Sequence, residues 1–397
     1  MRGAGAEDIH DTPCSFRYSY NPAKNDSGCA AGLGRSAGVR TRTIDDGDAI
    51  VKRRMRWPLL LGLLLAGTSF AADVRPRPEL ITPEAEAAIQ KGLAYLARTQ
   101  KADGSWSAEG QGHPVTLSSL ACLALMCSGS TPTTGPYADN VGRGVEFLLR
   151  CSDADGAIAS ADDRSHVMHG HGFAMLTLAH AYGMEANPLR QKRIAQVLQK
   201  AVRLTAASQS KDGGWYYSPN SGSDEGSVTV TQIQGLRACR DAGIRVPPES
   251  IRRACDYIQK CANSDGGISY SLANRGSSLP AITAASVATM YNAGQFEHPV
   301  AAGALKYVEN LLQRNQGDYT KAFGGHSYYS LLYLGQAMWF AGDRKWQAFF
   351  PAMRDKLLTL RNADGAWQGD GVGITFGTSI ALVSLQLPYR QLPLLQR

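Results

Sequence analysis

The sequence predicts an all-α protein in which six helix pairs close into an α/α toroid. Two observations lead to this fold class. A motif of about fifty residues occurs six times along the chain. Each copy contains one amphipathic helix pattern followed by one helix pattern that is apolar on nearly every side. Together they indicate two concentric layers of helices.

The repeat is most complete in residues 91–106 ("KGLAYLARTQKADGSW") and 200–215 ("KAVRLTAASQSKDGGW"). A basic residue, a glutamine, a glycine and a tryptophan occupy identical positions in these two segments. The other copies keep the glycine and part of the remaining pattern. This regularity predicts one structural unit per copy. The six glycines are spaced 48 to 57 residues apart, and they are Gly104, Gly156, Gly213, Gly266, Gly317 and Gly365.

The first helix of each unit is predicted to be amphipathic and to lie in the outer layer. Ile194, Leu198 and Ala201, for example, follow helical spacing on one face. The helix ends at Asp-Gly, because glycine readily adopts the left-handed conformation that closes a helix. The glutamine and tryptophan of the motif, such as Gln100 and Trp106, are predicted to join one repeat to the next.

The second helix of each unit is predicted to be buried on all sides. Residues 115–129 ("VTLSSLACLALMCSG") and 373–387 ("GITFGTSIALVSLQL") are typical examples. A helix that is hydrophobic all round must be surrounded by other helices. Six such helices inside six outer ones favour a closed ring, which needs no polar capping repeats; an open superhelix is the alternative.

The N-terminal part predicts export. Basic residues 52–54 precede Met55, and a short apolar run with small residues after it completes the pattern of a secretory signal peptide. We expect residues 1–54 to be a non-native or disordered extension and residues 55–71 to be a signal peptide. Residues 72–397 should form the toroid in the periplasm or outside the cell. No membrane-spanning segment is expected in this mature chain.

Composition and cysteine usage exclude several classes of function. The formal net charge is +7, of which +3 lies in residues 1–71 and the remaining +4 is spread along the predicted mature chain, so no nucleic-acid partner is predicted. Phosphate-binding loops and dinucleotide fingerprints do not occur. The cysteines after residue 72 fall mostly inside predicted helices and form no CxxC pair, so we expect buried thiols rather than disulfides. They are Cys122, Cys127, Cys151, Cys239, Cys255 and Cys261.

The motif at 91–106 resembles the QW repeat of squalene and oxidosqualene cyclases. The ring that it implies is also similar to the β subunit of protein prenyltransferases, over about residues 82–390. More closely, the chain resembles single-toroid bacterial prenyltransferase and squalene oxidase repeat proteins. The D-x-D-D acid of the cyclases has only Ser160–Asp163 as its nearest counterpart, and the Asp-x-Cys zinc pair of the transferases does not occur. Neither mechanism therefore transfers residue by residue.

Candidate functional residues cluster before the inner helices. In a ring of helix pairs, the loop after each Asp-Gly turn leads into an inner helix, so all six inner N-termini face one mouth. Their dipoles favour anions there. Five of the eight histidines of the chain lie in these leading segments, and this clustering predicts a site. They are His113, His166, His169, His171 and His326.

We predict that His169, His171, His326, Asp224 and Glu225 are catalytic, as a general acid and base. The two carboxylates precede an inner helix, where capping of its N-terminus by Asp224 or Ser227 is the alternative role. The spacing of His169 and His171, with His326 or Asp224, is compatible with three metal ligands. Hydrogen bonding at helix starts is the favoured interpretation, so no metal is predicted and no cofactor is identified.

Aromatic residues on or near the inner helices are predicted to contact a ligand, because aromatic faces can hold an apolar chain or steady a cationic intermediate. Filling of the core is the alternative role for such residues. The predicted ligand-binding residues are His113, Phe173, Tyr217, Tyr328, Tyr329 and Phe376.

Three functions remain open at this stage. The first is an exported protein, enzyme or binder, that holds an isoprenoid or other apolar ligand in the central cavity. The second is an exported carbohydrate-active toroid, which needs two carboxylates across a groove. The third is a non-catalytic envelope scaffold whose mouth is filled by the chain itself. The family resemblance favours the first.

Overall fold

A computed structural model describes residues 77–107, 112–163 and 166–393. Within these ranges the chain forms thirteen α-helices and four short 3-10 segments. The predicted extension (1–54) and signal peptide (55–71) lie outside the described residues. In the described part, no helix is long and apolar enough to cross a membrane.

Twelve of these helices alternate between an outer and an inner layer. The outer helices are α1 (Pro83–Thr99), α3 (Ala138–Arg150), α5 (Pro188–Ala207), α7 (Pro248–Lys260), α9 (Pro299–Arg314) and α12 (Asp343–Leu360). The inner helices are α2 (Pro114–Cys127), α4 (Val167–Met184), α6 (Gly226–Asp241), α8 (Pro280–Asn292), α11 (Ser327–Phe340) and α13 (Ile374–Gln386). A further short helix, α10 (Tyr319–Phe323), lies between α9 and α11 in the sequence.

The six inner helices close into a ring. From α2 to α13, each inner helix packs on the next one along the chain, and α13 also packs on α2. The outer helix α1 contacts both α12 and α13, so it covers the seam between the last repeat and the first. The predicted closed toroid is therefore confirmed, and the open superhelix is excluded.

Burial follows the two-layer prediction. Every residue of α2 is buried, because this helix has neighbours on all sides. The outer helix α3 instead buries a stripe that includes Val141, Val145 and Leu148 and exposes the opposite face. Such a stripe recurs every three to four residues, which is the period of an amphipathic helix.

The recurring glutamine and glycine of the repeat form a joint between neighbouring units. The side-chain amide of Gln100 donates hydrogen bonds to the carbonyl oxygens of Gly104, in its own repeat, and of Asn140, in the next outer helix; both distances are 2.9 Å. The indole N–H of Trp106 donates to the carbonyl oxygen of Leu96 at 2.8 Å. The glutamine thus satisfies carbonyl groups at two helix ends or turns and ties the units together.

The second complete copy makes the same joint. Gln209 donates to the carbonyl oxygens of Gly213 at 2.8 Å and Ser250 at 2.9 Å. The indole of Trp215 donates to the carbonyl oxygen of Thr205 at 2.7 Å. The prediction that the glutamines connect repeats is therefore confirmed at both places, whereas each tryptophan hydrogen bond stays within its own repeat.

The motif glycine is required at the joint for two reasons. Gly104 has φ +87°, in the left-handed region, and a Cβ there would lie 2.3 Å from the carbonyl oxygen of Arg143 in the next outer helix. Gly365 has φ +86°, and a Cβ would lie 2.7 Å from Cβ of Lys91 in α1. The last repeat therefore uses the same contact to meet the first one, which explains how the ring closes.

The fifth repeat departs from this pattern. Gly317 has φ +78°, but a Cβ there would meet no atom within 4 Å, so no neighbouring helix rests on it. The chain continues instead into α10, where Tyr319 and Phe323 are buried. Asp318 begins this helix by accepting a hydrogen bond from the backbone N–H of Thr320 at 3.0 Å. The sequence did not predict α10.

The six cysteines of the described residues are free thiols, as predicted. Five are buried and Cys151 is half-buried. Burial raises the pKa of the Cys122 and Cys127 thiols to about 12, so these groups stay protonated and act as small apolar side chains.

Candidate ligand cavity

A cavity of about 550 Å³ opens where the six inner helices begin. Each inner helix contributes to its wall with a residue from its first turns. These six residues are Thr116, His169, Ser227, Ala281, Tyr329 and Phe376. The volume is within the range of about 300–1,000 Å³ that small-molecule sites occupy. The predicted convergence of the inner N-termini is thus present in the structure.

Apolar and aromatic side chains make up most of the lining. The aliphatic part of the wall is formed by Leu279 and Ile282, at the start of α8, and by Val372, before α13. Phe323, supplied by the unpredicted helix α10, and Phe376 add aromatic faces. An interior of this composition suits an apolar ligand, since burying apolar surface provides most of the favourable free energy.

Four of the five predicted histidines line the cavity: His113, His166, His169 and His326. The rings of His113 and His166 meet edge to face, with centroids 5.5 Å apart. His166 also meets the ring of Tyr217 at 4.5 Å. Burial, with smaller contributions from His113 and His166, lowers the pKa of His169 to about 4. His169 is therefore neutral at pH 7.

His171 does not line the cavity, in contrast to the role that the sequence suggested for it. It is fully buried; Nδ1 accepts a hydrogen bond from the N–H of Ile158 at 3.1 Å, and Nε2 is 3.0 Å from Oγ1 of Thr205. Residues two apart on an α-helix point about 200° apart. Because His169 faces the cavity, His171 faces the outer layer and bridges neighbouring repeats.

Asp224 and Glu225 also point in different directions, because Glu225 has extended backbone in which neighbouring side chains alternate. Asp224 accepts a hydrogen bond from the hydroxyl of Ser210 at 2.7 Å and does not line the cavity. Glu225 is buried and caps α6: it accepts hydrogen bonds from the backbone N–H groups of Ser227 and Val228. Helix capping, which the sequence left open for Asp224 or Ser227, is thus carried out by Glu225.

Two tyrosines stand between Glu225 and the cavity. The hydroxyls of Tyr217 and Tyr270 are hydrogen-bonded to each other, and both residues line the cavity. Burial raises the pKa of Glu225 despite its hydrogen bonds. Burial, the Tyr217 bond and the charge of Glu225 all raise the pKa of Tyr270. This group therefore joins a buried carboxyl to a phenol pair at the cavity wall.

Of the remaining aromatic residues predicted to bind a ligand, some line the cavity and others lie in the core. Tyr329 and Phe376 line the cavity, whereas Tyr328 is buried outside the lining. Phe173 is also buried, with its ring 5.4 Å from that of His169. The ring of Tyr329 meets that of Tyr333 at 5.1 Å. The hydroxyls of both residues are buried without a hydrogen-bond partner in the described part of the chain.

Asp370 is a cavity residue that the sequence analysis did not single out. It lies before α13 but accepts hydrogen bonds from the backbone N–H groups of Tyr328 at 3.0 Å and Tyr329 at 2.6 Å, at the start of α11. Its φ of +37° is uncommon for a residue other than glycine. Its place in a Gly-Asp-Gly segment before an inner helix was the available signal.

Amide side chains bridge the ring deeper in the structure. The Gln234 amide N–H of α6 donates to Oε1 of Gln336 in α11 at 3.0 Å, and Asn292 of α8 donates to the same oxygen at 3.2 Å. All three residues are buried. Gln234 lies eight residues into α6, which places this bridge about 12 Å below the helix start. The cavity wall comes from the first turns of the inner helices and from the segments before them, so this bridge lies deeper in the ring than the cavity wall.

Within the described residues, no group of three or more His, Cys, Asp or Glu side chains is arranged to hold a metal ion. The directions of His169 and His171 explain why this pair cannot share one ion.

Sequence comparison identifies two curated relatives, both terpene cyclases. Drimenyl diphosphate synthase of Streptantibioticus cattleyicolor is 26% identical over 180 residues, which are 45% of this chain and 32% of that protein. Lanosterol synthase erg7A of Aspergillus fumigatus is 29% identical over 153 residues, which are 37% of this chain and 19% of that protein. This chain thus matches a third or less of the length of each relative. No protein-family model matches it.

Structural comparison shows the fold. The type II terpene cyclase MstE from Scytonema superposes with a TM-score of 0.54 at 16% identity, over 79% of this chain and all of that one. An α-1,6-mannanase of Salegentibacter superposes with a TM-score of 0.57 at 10% identity, over 76% of this chain and 98% of that one. Terpene cyclases and glycosidases thus share this α/α toroid.

Proposed function

We propose that this protein binds an isoprenoid-class ligand in the central cavity, in the manner of a single-toroid terpene cyclase or prenyltransferase relative. The observation that carries the proposal is the cavity itself, in which all six inner helices present a mainly apolar and aromatic wall. Its position at the start of the buried helices leaves room for a chain of apolar groups with polar groups at the rim.

The comparisons support the choice of ligand class. The two sequence relatives, drimenyl diphosphate synthase and lanosterol synthase, are terpene cyclases. The MstE neighbour is also known in complex with geranylgeranyl dihydroxybenzoate as substrate, and with merosterolic acid A as product, at TM-scores of 0.51. These ligands carry the isoprenoid units that an apolar cavity favours, and we extend that preference to this chain.

The wall of the cavity also supports acid–base work on such a ligand. The raised pKa of Glu225 makes it hold its proton to higher pH than an ordinary glutamic acid, and Tyr270 and Tyr217 link it to the cavity. The rings of Tyr217, Tyr329 and Phe376 would face any positive charge that protonation creates on the ligand. We assign Glu225 as the proton-holding group of this proposal.

The geometry gives less support to a carbohydrate-active role, which the mannanase likeness would suggest. A glycosidase needs two carboxylates across a groove. Among the described residues, Asp370 is the one carboxylate in the cavity lining, and it is held by the N-terminus of α11. The motif tryptophans Trp106, Trp215 and Trp367 are in the core and offer no platform for a sugar ring. The cavity also disfavours a pure scaffold, for which a filled mouth was expected.

We also propose, from the segment at 52–71 alone, that the protein is exported. Sequencing the N-terminus of the protein recovered from the periplasmic fraction or the medium tests this point. A first residue near Ala72 supports it, and retention of the chain inside the cell with residues 55–71 intact contradicts it.

Blocking the cavity provides the main test. Ala281 lines the cavity and is half-buried, so Ala281→Trp should fill the space of the ligand. We expect the affinity for geranylgeraniol, measured by isothermal titration calorimetry, to fall by about tenfold or more, which corresponds to about 1.4 kcal/mol. Farnesol and squalene would define the preferred chain length.

Leu189→Trp serves as the matched control, because Leu189 is 75% exposed on the outer helix α5. This variant should bind geranylgeraniol as the unmodified protein does. Equal affinities for Ala281→Trp and Leu189→Trp, or no binding of any of the three isoprenoids by the unmodified protein, would contradict the proposed function.

A further inference from the structure

We infer that His113, His166 and His169 form a recognition site for an anionic head group, so that the ligand is an isoprenoid amphiphile ending in a carboxylate or phosphate. The inference rests on the proposed function, because the apolar part of the same cavity would hold the tail. It goes further by naming the chemistry of the polar end and the wall that binds it.

The three imidazoles are grouped on one wall of the ring. His113 and His166 occupy the N-cap positions of the neighbouring inner helices α2 and α4, and their ring centroids are 5.5 Å apart. His169 follows His166 by three residues, which places it on the same face of α4. All three line the cavity, and His113 holds φ +75°, an uncommon backbone conformation that directs its side chain.

The charge balance of this wall favours an anion. No lysine or arginine lines the cavity in the described residues, so the histidines are the groups there that can become cationic. Neither N-cap side chain, His113 or His166, caps its own helix, so the positive ends of the α2 and α4 dipoles face the same region. A carboxylate or phosphate could accept hydrogen bonds from the imidazole N–H groups.

In the described part of the chain, the acidic residues shortly before α4 are Asp162 and Asp163. The 3-10 segment before α4 contributes the carbonyl oxygens of Asp162 and Asp163 to the backbone N–H groups of His113 and His166. The carboxylate of Asp163 accepts hydrogen bonds from the N–H and hydroxyl of Ser160, at 2.6 and 2.9 Å. Exposed Asp162 therefore remains at the surface beside the wall.

The other titratable groups belong to the remaining walls. Tyr217 meets His166, and the Tyr270 and Glu225 side chains lie behind it on the α6 side. Across the ring from α4 lies α11, which presents His326 and Tyr329. Asp370 on that side holds the N-terminus of α11. Within the described residues, none of these carboxylates forms a hydrogen bond or an ion pair with His169.

Binding of an anion should be coupled to proton uptake. The pKa of His169 is lowered to about 4 in the empty cavity, first by burial and then by His113 and His166. A bound anion favours the imidazolium form and raises this pKa. Since the complex then holds more protons than the empty protein, the affinity for the anion must increase as pH falls between the two pKa values.

Three probes that share one tail test the inference: geranylgeraniol, geranylgeranoic acid and geranylgeranyl monophosphate. Their dissociation constants would be measured with the full-length protein by calorimetry at about pH 5.5 and about pH 8, where histidine changes charge. We expect one or both anionic probes to bind about tenfold tighter than the alcohol at the lower pH, with a smaller ratio at the higher pH. The carboxylate and phosphate arms identify which anion the site prefers.

Histidine substitutions locate the site. His166→Asn and His169→Gln, singly and combined, should reduce the anion-to-alcohol affinity ratio to about one while geranylgeraniol still binds. His298→Asn is the matched control: His298 caps the outer helix α9 by accepting from the N–H of Val300, a role that asparagine also fulfils. Thermal melting of each variant checks that it folds, and the single variants carry the test if the double variant does not fold.

The outcomes separate the two proposals. Equal, pH-independent binding of alcohol and anions would overturn the anion site and leave the proposed function standing. Loss of the affinity ratio in His326→Asn, with no loss in the His166 and His169 variants, would also overturn it, since the anion would then lie on the opposite wall. Failure of all three probes to bind would instead remove the proposed function.

Discussion

His169 and His171 show how one helix separates two similar residues into different roles. His169 faces the cavity beside His113 and His166, whereas His171 accepts and shares hydrogen bonds between the 158 loop and α5. From the sequence, both are predicted to lie in one cluster, as parts of the segment that leads into the inner helix. In the structure both lie within α4, where the 200° turn between positions two apart separates them.

This difference predicts opposite effects on stability. His171→Ala leaves a cavity and two broken hydrogen bonds in the core, so it should lower the free energy of unfolding by about 2–4 kcal/mol. His169→Ala should change it by less than about 1 kcal/mol, because the side chain borders an existing cavity. Urea denaturation of the two variants measures both values. Equal losses would show that His169 is also a structural residue.

The raised pKa of Glu225 predicts a pH-dependent contribution to stability. A carboxyl whose pKa is higher in the folded protein binds a proton more tightly there, so its contribution is present below the unfolded pKa and is lost as pH rises through the folded one. Glu225→Gln removes this titration. The free energy of unfolding of the variant, relative to the unmodified protein, should therefore rise with pH above the ordinary glutamate pKa of 4.5.

Urea denaturation of both proteins at a series of pH values checks this prediction. Glu249→Gln is a suitable control, because Glu249 is exposed and its pKa is lowered by its pairing with Arg252. A pH-independent difference for Glu225→Gln would show that folding does not raise the pKa of Glu225, and it would remove the acid from the proposed function.

At the scale of helices and joints, the repeat motif is largely structural. The Gln100 and Gln209 amides each connect two repeats, and the glycines allow the next outer helix to approach. The sequence predicted these joints well because every part of the motif is local and recurs at a fixed offset. It missed α10, because the fifth copy retains only fragments of the motif and Gly317 has no helix resting on it.

Gly104 and Gly317 form a natural pair for testing the joint. Both have positive φ, +87° and +78°, so alanine should cost about 1–2 kcal/mol at either position from the backbone alone. Gly104→Ala also drives a Cβ to 2.3 Å from the carbonyl oxygen of Arg143, whereas Gly317→Ala meets nothing within 4 Å. We expect a loss of about 3 kcal/mol or more for the first. Similar losses in thermal or urea unfolding would contradict the proposed role of the joint.

The whole molecule is held closed by the contact between its last and first repeats. Gly365 rests against Lys91, and Arg98 donates a hydrogen bond to the carbonyl oxygen of Asp364 at 3.2 Å. These contacts repeat the geometry used between Gly104 and Arg143. The six-fold count and the all-apolar inner helices were sufficient to predict closure, because a ring buries every inner helix without special caps.

Gly365→Ala should loosen this seam selectively. The added Cβ would lie 2.7 Å from Cβ of Lys91, so α1 must move away from the last repeat. Amide hydrogen exchange followed by mass spectrometry should show faster exchange in α1 than in the unmodified protein, with little change in α5, on another part of the ring. Uniform acceleration in all helices would indicate global destabilisation rather than an opened seam.

The sequence predicted where the cavity lies but not which residues form its wall. The sequence indicated that inner N-termini converge, but the wall also depends on loops and neighbouring repeats that meet only in the folded ring. Asp370 reaches α11 from the segment before α13, and Phe323 arrives on α10. Asp224 and Glu225, adjacent in sequence, separate because their extended backbone alternates sides. Such differences are set by dihedral angles that composition does not reveal.

The amide bridge of Gln234, Gln336 and Asn292 joins α6, α8 and α11 across the ring interior. It lies about 12 Å from the start of α6, as judged from helix rise. The cavity wall instead comes from the first turns of the inner helices and from the segments before them. A molecule held in the cavity would therefore enter and leave on the same side of the ring, past the segments that precede the inner helices.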